Sequence, residues 1–117
     1  MSDRELLEMA AKAFDDPKLF ANTTGAPWQY WIGFCEVMQC DVTRLWNPLE
    51  DDGDALRLAV KLGLLLDCQG PCAMPMDRSG GNPGDWVIPD GVESEDQNLL
   101  MRTCIVRAAA EIGRAMP

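Results

Sequence analysis

The clearest hydrophobic pattern in the chain lies between Trp46 and Leu66. One helical face, spaced i, i+3, i+4 and i+7, collects four apolar residues: Ala55, Leu58, Ala59 and Leu62. Asn47 before Pro48 suits a helix start, and Asp52 or Asp54 is the cap if the helix begins later. Gly63 suits a left-handed stop, and the apolar run at 64–66 that follows predicts a buried strand. We therefore expect a helix over 50–62 and a strand directly after it.

Two more segments have the pattern of amphipathic helices, residues 3–14 and 95–114. Ser2 with Glu5, and Ser94 with Gln97, have the capping-box spacing that marks a helix start. Because each helix has one apolar side, all three predicted helices must be covered by the rest of the chain.

The stretch 28–35, WQYWIGFC, is the aromatic strand candidate. Plain alternation puts four side chains on one face, Trp28, Tyr30, Ile32 and Phe34, and three on the other, Trp31, Gly33 and Cys35. A helix over 29–39 competes, since apolar residues there also match a helical stripe. Strand or mixed structure is favoured.

Further short strands are expected in the second half. Residues 64–68 and 72–76 suit a hairpin, although Pro71 and Pro75 would confine the second strand to a sheet edge. A polar, glycine-rich loop at 77–85 precedes one more short strand at 86–88. The predicted fold is a single α+β domain over 1–117, with a small, mainly antiparallel sheet packed with about three helices.

Composition narrows the classes of function. The net charge of −9 opposes direct binding to nucleic acid or to an anionic membrane. No apolar stretch reaches the roughly 20 residues that cross a bilayer, and the N-terminus lacks a signal-peptide layout. We expect a cytoplasmic protein that binds neither nucleic acid nor a membrane directly.

The residues suited to catalysis are few. The chain has no histidine, which excludes Ser-His-Asp and Cys-His catalysis. The acidic run Glu50, Asp51, Asp52 and Asp54 is explained by its place at a helix start, where the positive end of the helix dipole favours carboxylates. The expectation is therefore a protein that is not an enzyme and holds no cofactor.

Five cysteines and no export signal indicate reduced thiols. The spacings C-x4-C and C-x3-C leave a zinc-binding module as an alternative, with four candidate ligands: Cys35, Cys40, Cys68 and Cys72. The spacing fits the usual zinc knuckle poorly, so no metal site is assigned.

Four aromatic residues form the candidate partner-binding surface: Trp28, Tyr30, Trp31 and Trp46. Aromatic side chains dominate both cores and binding hot spots, and a domain this small will not bury all four. We expect one or two of them to be partly exposed, in contact with a protein partner or in a homodimer.

The strings WNPLEDDGDALRLAVKLGLLL and CIVRAAAEIGRAM resemble the signature blocks of small phage and prophage proteins with an α-β-α sandwich domain. The matching positions are Trp46, Pro48, Asp54, Ala55, Trp86, Cys104, Arg107, Ala108 and Ala109. The similarity covers most of the chain after Trp28 and departs at 71–84. That family has no established activity, so the resemblance implies architecture and origin.

The resulting hypothesis is a non-enzymatic accessory protein of phage or prophage origin, acting by protein binding in the cytoplasm of a bacterial host. An alternative is an inhibitor of a host nucleic-acid-binding or defence protein, acting through its acidic surface.

Overall fold

A computed structural model describes residues 2–20, 28–74 and 86–116. Within these ranges there are three helices, α1 (Asp3–Phe14), α2 (Asp52–Leu62) and α3 (Gln97–Ala115), and five short strands: β1 (Leu19–Phe20), β2 (Gln29–Cys35), β3 (Cys40–Leu45), β4 (Leu65–Asp67) and β5 (Cys72–Met74). All strand pairs are antiparallel. The α+β class and the three helices are confirmed. The predicted loop at 77–85 lies outside the described residues.

The helix starts show which capping predictions were correct. The hydroxyl of Ser2 accepts a hydrogen bond from the Glu5 N–H and caps α1, as expected. The cap of α2 is Asp51, because the Asn47 side chain instead accepts from the Leu49 N–H and closes a turn before the helix. The Ser94 hydroxyl likewise accepts a hydrogen bond from the Asp96 N–H before the helix, and the cap of α3 is Asp96. Gly63 ends α2 in the left-handed conformation, at φ 66°.

The core forms mainly where α1 and α3 pack against each other, with α2 beside α3. Its buried apolar side chains include Ala10, Phe14, Trp46, Leu58, Ile105, Val106 and Ala109. Gly113 allows the close approach of the two long helices, because a Cβ there would overlap the carbonyl oxygen of Met9. The apolar stripes of all three helices are thereby sheltered.

The strands form two small sheets instead of the single sheet expected. One has the order β1-β2-β3, and the other pairs β4 with β5 as the predicted hairpin. The strand expected at 86–88 is a single bridge, Val87 to Ala73. The two sheets flank the helices at different places, since β5 contacts α3 whereas β1 and β2 contribute residues that pack around Phe14 and Trp46.

Strand β2 confirms the strand prediction, and the competing helix over 29–39 is wrong. The prediction of which β2 side chains share a face is also wrong for the residues after Trp31. Trp31 pairs with Thr43 and Gly33 with Val42, so Ile32 is an extra residue and forms a β-bulge. Because paired residues share a face, Phe34, opposite Asp41, lies on the face of Trp31 and not on that of Tyr30.

Candidate interaction surface

The inner face of the three-stranded sheet covers the core. Leu19 and Tyr30 are paired residues that both pack against the core cluster. The Tyr30 hydroxyl donates to Asp16 Oδ2 at 3.0 Å, and its ring centroid lies 6.5 Å from that of Phe14. Arg44, opposite Tyr30, places its guanidinium 5.3 Å from the centre of the tyrosine ring. The part of this face formed by Leu19, Tyr30 and Arg44 is therefore occupied by intramolecular contacts, whereas Val42 nearer the turn is exposed.

The opposite face of the same sheet carries apolar side chains that point away from the core. We call it the outer sheet face and define it by Phe20, Trp31, Phe34 and Leu45. Phe34 is 55% exposed and Leu45 63% exposed, while Trp31 is half-buried. An antiparallel sheet with one solvated face normally shows polar residues there. Apolar residues in their place are typical of a contact surface.

Polar side chains hold the outer sheet face in shape. The indole Nε1 of Trp31 donates to Asp41 Oδ1 at 3.2 Å, and the Thr43 hydroxyl donates to Gln29 Oε1 at 3.2 Å. Both bonds join β2 to β3 across the face. The Trp31 ring is thus oriented before any partner arrives, which lowers the ordering cost of binding.

The four aromatic residues of the predicted surface lie in three different places. Trp31 belongs to the outer sheet face. Trp28 and Tyr30 are half-buried and pack against the core. Trp46 is only 1% exposed, with its ring centroid 5.7 Å from that of Phe14, so it is a core residue and is not one of the aromatic residues available to a partner.

Sequence reasoning missed Phe20, Phe34 and Leu45 as surface candidates. Phe34 was assigned to the face of Tyr30 because plain alternation does not register the bulge at Ile32. Leu45 belongs to β3, whose sequence CDVTRL has no marked apolar period. Only the pairing of β3 with β2 reveals that its odd-numbered side chains point outward.

A buried ionic cluster connects the sheet to α2. Asp54 is 1% exposed, and its Oδ1 accepts from Arg44 at 2.7 Å and from Arg57 at 2.9 Å. Its Oδ2 accepts from the backbone N–H of Asn47 at 3.0 Å. Burial raises the pKa of Asp54, but these hydrogen bonds outweigh that effect and hold the pKa below its ordinary value. Asp54 is thus a structural anion that fixes Arg44 against the sheet.

The five thiols are dispersed. Cys35 and Cys40 are paired at the turn end of the β2–β3 hairpin, whereas Cys68 and Cys72 belong to the β4–β5 hairpin. In the part of the chain that the structure describes, no three His, Cys, Asp or Glu residues come together as a metal site. The four cysteines of the zinc alternative are therefore not assembled. Cys104 is buried in α3, and burial raises the pKa of its thiol to about 11.

Comparison with models of protein families, with curated proteins and with solved structures gives no match to this chain. Among the described residues, no helix is long and apolar enough to pass through a bilayer.

Proposed function

We propose that this protein is a non-enzymatic accessory protein of phage or prophage origin, and that it binds another protein through its outer sheet face in the cytoplasm of a bacterial host. The observation that carries the proposal is the position of Phe34 and Leu45, more than half exposed on a sheet face that turns away from the core. The phage origin is supported by the resemblance of the blocks that begin at Trp46 and Cys104.

The electrostatics of the surface favour a basic partner. Arg44 and Arg57 are paired with Asp54, and Arg102 is paired with Asp52. Because Arg57 also pairs with Asp51, these three arginines are balanced by three carboxylates, and the net charge of −9 resides on the other residues. A host protein with a basic surface, such as one that binds nucleic acid, has the complementary charge.

The test is a capture experiment with matched variants. Tagged protein, Phe34→Ser/Leu45→Ser protein and Leu56→Ser/Val60→Ser protein are incubated with lysate of the host bacterium. Leu56 and Val60 are equally exposed apolar residues, at 58% and 70%, but they lie on α2. We expect the same host protein to be retained by the wild type and the α2 variant and lost from the sheet variant. Equal retention by all three would refute binding through this face.

The charge complementarity has its own test. A retained host protein is eluted with increasing salt and, separately, challenged with double-stranded DNA. Release by both treatments is expected if acidic groups occupy a nucleic-acid-binding site.

The proposed phage or prophage origin is tested by transcription. Transcription of the gene is expected to rise when lytic growth of a resident prophage is induced, and constant transcription would contradict this origin.

A further inference from the structure

Among the described residues, strand β3 is an edge of the three-stranded sheet. The order β1-β2-β3 leaves one side of β3 open, and nothing within residues 2–20, 28–74 and 86–116 pairs with it. Natural edge strands are usually protected by charged side chains, above all lysine, by proline, by a bulge or by a short length. β3 spans six residues, Cys40–Leu45, without lysine or proline, and the bulge lies in β2. Its two charged side chains, Asp41 and Arg44, are engaged within the chain by Trp31 and Asp54.

The direction of the free backbone groups follows from one hydrogen bond. The Trp46 N–H donates to the Trp28 carbonyl at 2.9 Å, across the ladder that pairs β3 with β2. Backbone groups alternate in direction along a strand, so Arg44 also points toward β2. The N–H and C=O groups of Asp41, Thr43 and Leu45 then point away from the sheet. The extra residue Ile32 belongs to β2, so it does not disturb this alternation in β3.

We propose that two copies of this chain pair through β3, antiparallel and about a two-fold axis at Thr43. Thr43 then lies opposite Thr43 of the second copy, and Asp41 lies opposite Leu45 of the second copy. All three outward-pointing residues meet outward-pointing residues, and each such pair exchanges two backbone hydrogen bonds. This register uses the whole free edge of the strand.

The neighbouring register is less favourable. An axis at Val42 would place Leu45 opposite Gln39 of the second copy. Gln39 is a turn residue in the left-handed conformation, at φ 52°, so the ladder would end one pair earlier on each side. A Thr–Thr cross-strand pair also contributes favourably on the outer side of the sheet.

Charge does not prevent this pairing. In the Thr43 register, Asp41 and its counterpart are four residues apart along the strands, about 14 Å at the rise of an antiparallel strand. That separation exceeds the Debye length of about 10 Å at 0.1 M salt. Arg44 is neutralised by Asp54 and adds no repulsion. The remaining repulsion comes from the net charge of −9 on each chain, so dimerisation should strengthen as salt is added.

The dimer would have one six-stranded sheet, with the outer sheet faces of both copies side by side. This inference stands on the strand edge and does not depend on what the outer sheet face binds. Edge pairing buries less area than most obligate dimers, so a reversible, concentration-dependent dimer is expected.

Sedimentation equilibrium of wild type, Thr43→Pro and Thr43→Val proteins tests the proposal. Proline removes an N–H that β3 does not use within its own sheet, whereas valine keeps the N–H and the β-branch. We expect the wild type and Thr43→Val proteins to dimerise between micromolar and submillimolar concentration, more tightly at high salt. The dissociation constant of Thr43→Pro should rise about tenfold or more. A monomeric wild type, or equal dimerisation of both variants, would overturn the proposal.

Hydrogen exchange of the wild type gives a second measurement that needs no variant. The amides of Asp41, Thr43 and Leu45 should exchange more slowly as protein concentration rises, while the amide of Arg44 should be unaffected. Exchange of all four amides that is independent of concentration would also overturn the proposal.

Capture of host protein by the Thr43→Pro protein then shows separately whether the outer sheet face still binds its partner when the dimer does not form.

Discussion

Arg44 at the end of β3 donates a 2.7 Å hydrogen bond to the buried carboxylate of Asp54 in the first turn of α2. The same carboxylate accepts from Arg57, one turn along the helix. One anion thus couples the three-stranded sheet to the helix that packs against α3.

Asp54→Asn should destabilise the fold by about 3 kcal/mol, because it keeps the shape of the side chain but removes the anion that pairs with Arg44 and leaves Arg57 with only the longer pair to Asp51. The matched control is Asp52→Asn, whose carboxylate is mostly exposed to solvent although its partner Arg102 is largely buried. That change should cost less than about 1 kcal/mol. Urea denaturation of the two variants measures both values. Similar losses would show that the cluster adds no more than a surface pair.

The same carboxylate predicts a pH dependence. The folded-state pKa of Asp54 is below the ordinary value of 3.8, so its contribution is complete above that value. As pH falls further, the unfolded chain takes up a proton first, and the contribution is lost through the lowered folded-state pKa. The difference in unfolding free energy between wild type and Asp54→Asn should therefore be constant near neutral pH and shrink in acid. A difference that stays constant down to pH values well below 3.8 would contradict this assignment.

Gly113→Ala should destabilise the protein by about 2 kcal/mol, although alanine is the better helix former. The added methyl group would meet the Met9 carbonyl of α1 and force the two longest helices apart. Gly53→Ala in α2 is the control, because a Cβ there meets only the movable side chains of Arg57 and Asp51. It should leave stability within about 1 kcal/mol of wild type or increase it. Thermal unfolding followed by circular dichroism compares the two.

The thiols should react with iodoacetamide in two groups. Cys40 and Cys68 are exposed and should be alkylated in the native protein. Cys104 is fully buried, its thiol donates to the Pro71 carbonyl at 3.2 Å, and its pKa is raised to about 11. Since the thiolate is the reactive form, Cys104 should react only after denaturation. Peptide mass spectrometry after native labelling checks this, and modification of Cys104 at the rate of Cys40 would contradict it.

Local sequence signals were sufficient for the helices. Three features depend only on neighbours within one or two helical turns and were therefore predictable: the apolar stripe of α2, the glycine that ends α2, and the capping box at Ser2. The caps at Asp51 and Asp96 were displaced by a few residues for a local reason. Asn47 and Ser94 make side-chain hydrogen bonds inside turns that precede the helices.

The candidate surface depends on distant pairing and was only partly predictable. Whether Trp31 or Tyr30 faces outward is decided by α1, which packs Phe14 against Tyr30. The face of Phe34 is decided by one extra residue, Ile32, relative to β3. The burial of Trp46 required knowledge of how α1 and α3 close over it, and the coupling of Asp54 to Arg44 spans two different elements.

The packing of α1 against α3 has a consequence for biosynthesis. α1 can pack against its main neighbour only after residues 97–115 have also left the ribosome. Until then, Phe14 can already contact Tyr30 and Trp46, but the side of α1 that packs against α3 lacks its cover, and exposed apolar surface of this kind is bound by chaperones. The core is therefore expected to close only after α3 has been synthesised, and truncation of the chain before α3 would prevent it.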